Sequence, residues 1–168
     1  AELGALMLEQ EAFDRAAELI ETCRDAGLMV ATVESCTGGL VSACITAVSG
    51  SSDVLDRGFV TYSNEAKNEL VGVPLELIEA HGAVSGEVAR AMAEGGVQNS
   101  NAQIAVSLTG VAGPGGGTET KPVGLVHFAC ARDGHHTVLY HEVFPGDRNA
   151  VREASVLQAL KMMIEAAN

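Results

Sequence analysis

The segment LMVATVESCTGG, residues 28–39, joins three kinds of local structure and so sets the class of fold. Leu28 to Val33 is a short apolar run, typical of a strand that is buried on both faces of a sheet. Glu34 to Gly39 is rich in small and polar residues and predicts a tight turn. Residues 40–48 then have the apolar spacing of a helix. This strand–turn–helix unit indicates an α/β protein and places Ser35 near a helix N-terminus.

The rest of the chain continues this alternation of helices and strands. Apolar spacing predicts a first helix from about Met7 to Ala26 and a final helix from about Arg148 to Ala167. Between them we predict helices at 64–72 (capped by Asn64), 74–80 and 85–97, and strands at 57–63 and 104–108. Residues 123–131 and 137–144 predict a hairpin that turns at Asp133 and Gly134. We therefore expect a three-layer α/β/α sandwich with a mixed sheet, formed by residues 1–168 as a single domain.

Charge and hydropathy exclude several classes of protein. The chain has 22 acidic and 10 basic residues, a formal net charge of −12, whereas nucleic-acid binding depends on clustered lysines and arginines. The same acidity argues against a basic membrane-surface module, and no stretch approaches the ~20 uninterrupted apolar residues of a membrane span. The N-terminus has no basic region followed by an apolar one. We expect a cytoplasmic protein that binds neither nucleic acid nor membranes.

The cysteines and histidines give no sign of a metal site. Cys23, Cys36, Cys44 and Cys130 are scattered without a C-x-x-C pair, which predicts buried, reduced thiols rather than disulfides. Zinc ligands cluster at short spacing, and the sequence has no such set of cysteines and histidines. We therefore expect no metal.

A glycine-rich loop, TGVAGPGGGTETKP at residues 109–122, directly follows the predicted strand at 104–108. Glycines lack a Cβ, so main-chain N–H groups can converge there on an anion or a ligand oxygen. The loop has neither the lysine of a Walker A motif nor the spacing of a dinucleotide-binding motif. Ligands of α/β proteins bind at the carboxyl ends of strands, so a binding role is favoured over a mobile surface loop.

Ser35 is the candidate nucleophile by position. A serine before a helix is most often a cap, but an oxyanion there would be stabilised by free N–H groups and the helix dipole. None of the five histidines lies in a recognisable triad context. Lys67 could act as the base only if burial lowers its pKa, and a solvated surface lysine is the alternative. Cys36 is a competing nucleophile, although packing with Cys44 is its favoured interpretation.

Two arginines begin the final predicted helix. Arg148 and Arg152 are four residues apart and share one helix face, where either guanidinium could bind a phosphate. The sequence alone favours the alternative, a surface salt bridge with Asp147 or Glu153.

Five motifs occur together in one order. They are VESCTGG at 33–39, TYSN at 61–64 followed by Lys67, HGAVS at 81–85, SLTGVAGPGGGTETKPVG at 107–124, and FPGDR at 144–148 followed by Val151 and Arg152. With these motifs, and from about Glu9 onward, the chain resembles the CinA C-terminal domain family. As a stand-alone chain of this type it resembles the nicotinamide-nucleotide amidohydrolases.

The resemblance implies hydrolysis of the carboxamide of nicotinamide mononucleotide (NMN) to nicotinic acid mononucleotide and ammonia, without a metal or cofactor. It implies Ser35 as the nucleophile, Lys67 as the general base and Tyr62 as a residue that holds or polarises the pair. The residues implied in substrate or oxyanion binding are Thr37, Gly38, Thr109, Gly110, Gly113, Gly115, Gly116 and Arg148, the last of them at the phosphate.

The resemblance also implies a homo-oligomer, and it leaves two alternatives for function. One is a non-catalytic nucleotide-binding or regulatory module, since domains of this type are linked to competence and DNA-damage responses. The other is a different small-molecule amidase or a phosphohydrolase, although a phosphohydrolase would be expected to have a carboxylate-rich metal site near the loop.

Overall fold

The computed structural model describes residues 8–168, which form a five-stranded sheet between two layers of helices. The helices are α1 (Gln10–Ala26), α2 (Leu40–Thr46), α3 (Asn64–Val71), α4 (Leu75–His81), α5 (Gly86–Gln98) and α6 (Arg148–Ala167). The strands are β1 (Val30–Glu34), β2 (Leu55–Val60), β3 (Ile104–Gly110), β4 (Leu125–Arg132) and β5 (Val138–Val143). The strand order is β2-β1-β3-β4-β5, with β1 parallel to β2 and β3, and β4 antiparallel to both of its neighbours. The predicted α/β fold with a mixed sheet is confirmed.

The two faces of the sheet pack differently. On one face, β3 and β4 pack against α1, α2 and α6 in the main core, which includes Phe128. On the other face, Ala89 and Ala93 of α5 pack against Ala129 and Ala131 of β4. These small side chains allow the helix to lie close to the sheet, and both layers together bury all of β1.

The carboxyl ends of the parallel strands meet at one edge. Glu34, the last residue of β1, pairs with Val60 of β2 and with Leu108 of β3. The segments that follow these three strands therefore leave the sheet side by side. The turn at 34–39 and the glycine-rich loop both lie at this edge.

Some element boundaries differ from the prediction. The strand predicted at 57–63 is Leu55–Val60, because the chain leaves the sheet and Ser63 caps α3. The Ser63 hydroxyl accepts from the Ala66 N–H at 3.0 Å, so Asn64 is the first helical residue and not the cap. Met7, the predicted start of the first helix, lies outside the described residues, and α1 begins at Gln10.

The burial predicted for the four cysteines is confirmed, and each of them is free in the structure. Between residues 8 and 168, no helix combines the length and the apolar character that crossing a membrane requires. In the same range, no three histidine, cysteine or acidic side chains are grouped so that they could hold a metal ion.

Candidate active site

The turn between β1 and α2, residues 34–39, holds Ser35 at the edge of the sheet. Gly38 and Gly39 have φ of 59° and 107°, a left-handed conformation that glycine adopts without strain. The Ser35 N–H donates to the Leu108 carbonyl at 3.1 Å, and the Gly38 N–H donates to the Ser35 carbonyl at 3.0 Å. Gly39 occupies the capping position of α2, so the Ser35 side chain is not a helix cap.

A buried carboxylate organises this turn. Glu34 is 1% exposed and is therefore shielded from solvent. It accepts hydrogen bonds from the hydroxyls of Thr32 and Thr37 at 3.2 and 2.7 Å, and from the N–H groups of Val41 and Ser42 at 2.8 and 3.1 Å. A negative charge is favourable at the N-terminus of a helix. The first N–H groups of α2, expected from the sequence to be free for an oxyanion, are therefore already used.

Lys67 of α3 lies against Ser35 and is 1% exposed. Its Nζ is 3.3 Å from Ser35 Oγ, 2.9 Å from the Thr61 carbonyl oxygen and 3.5 Å from the Tyr62 carbonyl oxygen. Burial lowers the pKa of Lys67 from its ordinary value, while the neighbouring Cys36 acts in the opposite direction. A lower pKa increases the fraction of the neutral amine, which is the form that can accept a proton.

Cys36 is a poorer nucleophile than its position beside Ser35 suggests. It is part of the main core, and burial raises the pKa of its thiol to about 11. The thiolate is the nucleophilic form of cysteine, and at neutral pH a thiol with this pKa stays protonated. Arg152 donates to the carbonyls of Cys36 and Thr37, each at 3.2 Å, and so fixes the main chain of the turn.

Ser35 and Lys67 line a pocket of about 220 Å³. Of the residues predicted for the site, it brings together Ser35, Tyr62, Lys67, Thr109, Gly110 and Arg148. The other residues of its lining are Cys36, Asn64, Ala83, Val84 and Ala112. A larger pocket of about 590 Å³ shares Ala112 and Arg148 with it. The two pockets together can accept a ligand that extends from Ser35 past Arg148.

Tyr62 and Thr109 both line the pocket, but their contacts differ from the roles that the resemblance implies. Tyr62 is 64% exposed, and its main-chain carbonyl is the group that accepts from Lys67. Thr109 is 1% exposed, and its hydroxyl donates to the Ala83 carbonyl at 3.0 Å. The Thr109 hydroxyl thus ties β3 to the segment before α5.

Other predicted residues lie away from the pocket. Thr37 is fully buried, and its hydroxyl points to Glu34. Gly38, Gly115 and Gly116 are exposed, and within residues 8–168 none of the three lines the pocket that contains Ser35.

The glycine-rich loop is held near its two ends. Arg148 Nη1 donates to the Gly113 carbonyl at 2.7 Å, and Lys121 Nζ donates to the His81 carbonyl at 2.6 Å. Residues 114–120 between these two points are exposed. Within the described residues, neither Arg148 nor Arg152 forms the salt bridge that the sequence alone favours.

Two residues that contact the site, Glu34 and Thr61, are not among the site residues predicted from the sequence. Glu34 had a detectable signal, because a charged residue at the end of a buried strand needs partners for its carboxylate. Thr61 contributes through its main-chain carbonyl, which every residue type possesses, so no sequence pattern marks it.

Comparisons with known proteins agree with this architecture. The family model of the CinA C-terminal domain matches residues 13–167. The nicotinamide-nucleotide amidohydrolase PncC of Shigella flexneri is 44% identical over 157 residues, covering 94% of this chain and 95% of that protein. The crystal structure of the competence/damage inducible protein CihA from Agrobacterium tumefaciens has a TM-score of 0.94 at 42% identity, covering 96% of this chain and 99% of that one.

Longer relatives match as well. A putative competence-damage inducible protein of Symbiobacterium thermophilum is 51% identical over 151 residues, which is 83% of this chain and 34% of that protein. The chain thus spans about a third of the length of this relative and of others like it. Since the family model matches nearly the whole chain, the protein belongs to the CinA C-terminal domain family.

Proposed function

We propose that this protein hydrolyses the carboxamide of NMN to nicotinic acid mononucleotide and ammonia, with Ser35 as the nucleophile and Lys67 as the general base. The observation that carries the proposal is the 3.3 Å distance between Ser35 Oγ and Lys67 Nζ, both buried at the carboxyl edge of the sheet. The name of the Shigella flexneri relative, which is similar over nearly its full length, supports the choice of substrate.

Lys67 is arranged to act as a neutral amine. A neutral amine has two N–H donors and one lone pair. The carbonyls of Thr61 and Tyr62 can accept the two N–H groups, which leaves the lone pair for the Ser35 hydroxyl. Ser35 Oγ attacks the carboxamide carbon while its proton passes to Lys67 Nζ, and Lys67 then gives this proton to the departing ammonia.

The tetrahedral intermediate needs donors for its oxyanion. The N–H group of Cys36 follows the nucleophile directly, and within residues 8–168 it donates to no other residue. We place the oxyanion beside it, because the N–H after the nucleophile serves this purpose in other serine hydrolases. Loss of ammonia leaves an ester on Ser35, which water hydrolyses with Lys67 again as the base.

The remote part of NMN would provide binding energy. The smaller pocket, of about 220 Å³, would receive the carboxamide and its ring, and the ribose phosphate would extend toward the larger pocket. Arg148 lies on the wall that both pockets share, where its guanidinium can bind the phosphate. Binding energy at the phosphate would hold the carboxamide against Ser35.

The test is ammonia release from NMN by the purified protein in the presence of a chelator. We expect release to persist in the chelator and to fall by a factor of about 10⁴ or more in Ser35→Ala, since the nucleophile is lost. The matched control is Ser52→Ala, which changes an exposed serine outside the Ser35 pocket and should keep full activity. A folded wild-type protein that releases no ammonia would contradict the proposal and favour the non-catalytic nucleotide-binding module.

A further inference from the structure

We propose that Glu34 is a positioning residue that holds both Ser35 and Lys67 in reacting geometry without contacting the substrate. The inference rests on the proposed function and deepens it. Glu34 is 1% exposed, and within the described residues it is not part of the lining of the Ser35 pocket. Its influence must therefore pass through the groups that it binds.

The carboxylate of Glu34 acts on the nucleophile side. Oε1 accepts from the Thr37 hydroxyl at 2.7 Å and the Val41 N–H at 2.8 Å. Oε2 accepts from the Thr32 hydroxyl at 3.2 Å and the Ser42 N–H at 3.1 Å. These bonds tie the end of β1 to the turn and to the start of α2. Ser35, the next residue in the chain, is thereby fixed between two restrained points.

The main chain of Glu34 acts on the side of the base. Its carbonyl accepts from the Thr61 N–H at 2.7 Å and from the Thr61 hydroxyl at 3.3 Å. The Thr61 carbonyl in turn accepts from Lys67 Nζ at 2.9 Å. A single residue is therefore connected to both groups of the pair, covalently to Ser35 and through Thr61 to Lys67.

A carboxylate suits this position because each of its four partners donates to it in the structure. A buried carboxylate is costly unless its oxygens are hydrogen-bonded, and here each oxygen accepts two bonds. A glutamine would turn its NH₂ group toward one main-chain N–H and lose that bond, and the threonine hydroxyl at the same end would have to accept instead of donate. An aspartate would be one methylene too short to reach α2 and Thr37 together.

Thr37 provides the sharpest test, because its hydroxyl binds Glu34 and its removal leaves the carboxylate in place. Thr37→Val keeps the shape of the side chain and removes the donor, whereas Thr37→Ser keeps the donor. We expect kcat for NMN to fall about tenfold or more in Thr37→Val with KM within about twofold, since small misplacement of reacting groups lowers the rate steeply. Thr37→Ser should recover most of the loss.

Two controls separate positioning from other roles. Thr46→Val, at the far end of α2 where the hydroxyl is bonded to the Ala43 carbonyl, should leave kcat unchanged. The pH at which kcat/KM reaches half its maximum should not move in Thr37→Val, because the burial that sets the pKa of Lys67 is unchanged. A rise in KM with constant kcat would instead make Thr37 a substrate ligand and would overturn the inference.

A measurement independent of activity distinguishes this inference from the proposed function. Hydrogen exchange at the N–H groups of Val41 and Ser42 reports directly on the bonds to Glu34. We expect faster exchange at one or both positions in Glu34→Gln than in the wild type and in Thr46→Val, because the NH₂ end of glutamine cannot accept from the N–H that it faces. Unchanged exchange at both positions in Glu34→Gln would overturn the inference, whether or not the protein hydrolyses NMN.

Discussion

The β1–α2 turn and the glycine-rich loop face the same pocket but are built in opposite ways. Residues 34–37 of the turn are buried, and the Glu34 carboxylate alone binds four donors there. Residues 114–120 of the loop are exposed, and side chains hold the loop at Gly113 and through Lys121. The proposed nucleophile therefore lies in a segment held by many hydrogen bonds, whereas the segment beside it has few restraints.

This difference leads to a division of kinetic effects. A hydrogen bond contributes roughly 1 kcal/mol net, so loss of the Arg148 bond or the Lys121 bond changes binding by a modest factor. Misplacement of a nucleophile or its base by about 1 Å can cost a factor of roughly 100 in rate. Substitutions in the turn and its partners should therefore lower kcat, and substitutions at the ends of the loop should raise KM.

After Ser35→Ala, the largest effect is expected at Lys67, whose Nζ lies 3.3 Å from Ser35 Oγ. Lys67→Met keeps the length of the side chain and removes the amine, so kcat/KM for NMN should fall by a factor of about 10³, as is typical for loss of a general base. Steady-state ammonia release measures this change, with circular dichroism to confirm the fold. Lys161→Met, the same substitution on α6, is the matched control and should retain wild-type activity.

The pH profile adds a signature of the same residue. Lys67 accepts a proton only when neutral, so kcat/KM should rise with pH through the folded-state pKa of Lys67 and be lost below it. Burial places that pKa below the ordinary 10.5, so the rise should occur at lower pH than for an exposed lysine. A profile that falls across this range would contradict the role of Lys67 as the base.

A smaller effect is expected at Arg148, where the loop meets the start of α6. Arg148→Met should raise KM for NMN about tenfold, because a hydrogen bond to a charged phosphate is worth roughly 1.5–3 kcal/mol. KM for nicotinamide riboside, which lacks the phosphate, should rise much less. The control is Arg90→Met, which changes an exposed arginine of α5 and should leave KM for both substrates unchanged. Equal increases in KM for both substrates would show that Arg148 does not bind the phosphate and acts only through its hydrogen bond to the Gly113 carbonyl.

The sequence predicts local structure well where the local signals are strong. The apolar run before Glu34 and the glycines after it specify a strand and a turn, and α6 has the predicted limits Arg148–Ala167. The pairing of Ser35 with Lys67 comes from the family resemblance, since a spacing of 32 residues carries no local signal.

The remaining features depend on tertiary contacts. Thr61 binds Lys67 through a main-chain carbonyl, and any residue at that position offers the same group. Thr37, implied as a substrate ligand, is instead buried against Glu34, because the turn directs its hydroxyl inward. Whether the Thr37 hydroxyl binds a substrate or Glu34 is decided by three-dimensional packing and not by residue type.

The smallest effect is expected at Lys121, which restrains the other end of the loop and is the strictest test of the comparison. Its Nζ donates to the His81 carbonyl at the C-terminus of α4, where helix carbonyls carry partial negative charge. Lys121→Met should raise KM about threefold for NMN and nicotinamide riboside alike with kcat unchanged, because the loop loses a restraint but the Ser35–Lys67 pair does not. Lys121→Arg should restore most of the affinity, and Lys161→Met controls for the lost charge. A larger rise for NMN than for the riboside would make Lys121 a phosphate ligand, and a fall in kcat would show that the loop and the turn are coupled rather than separate.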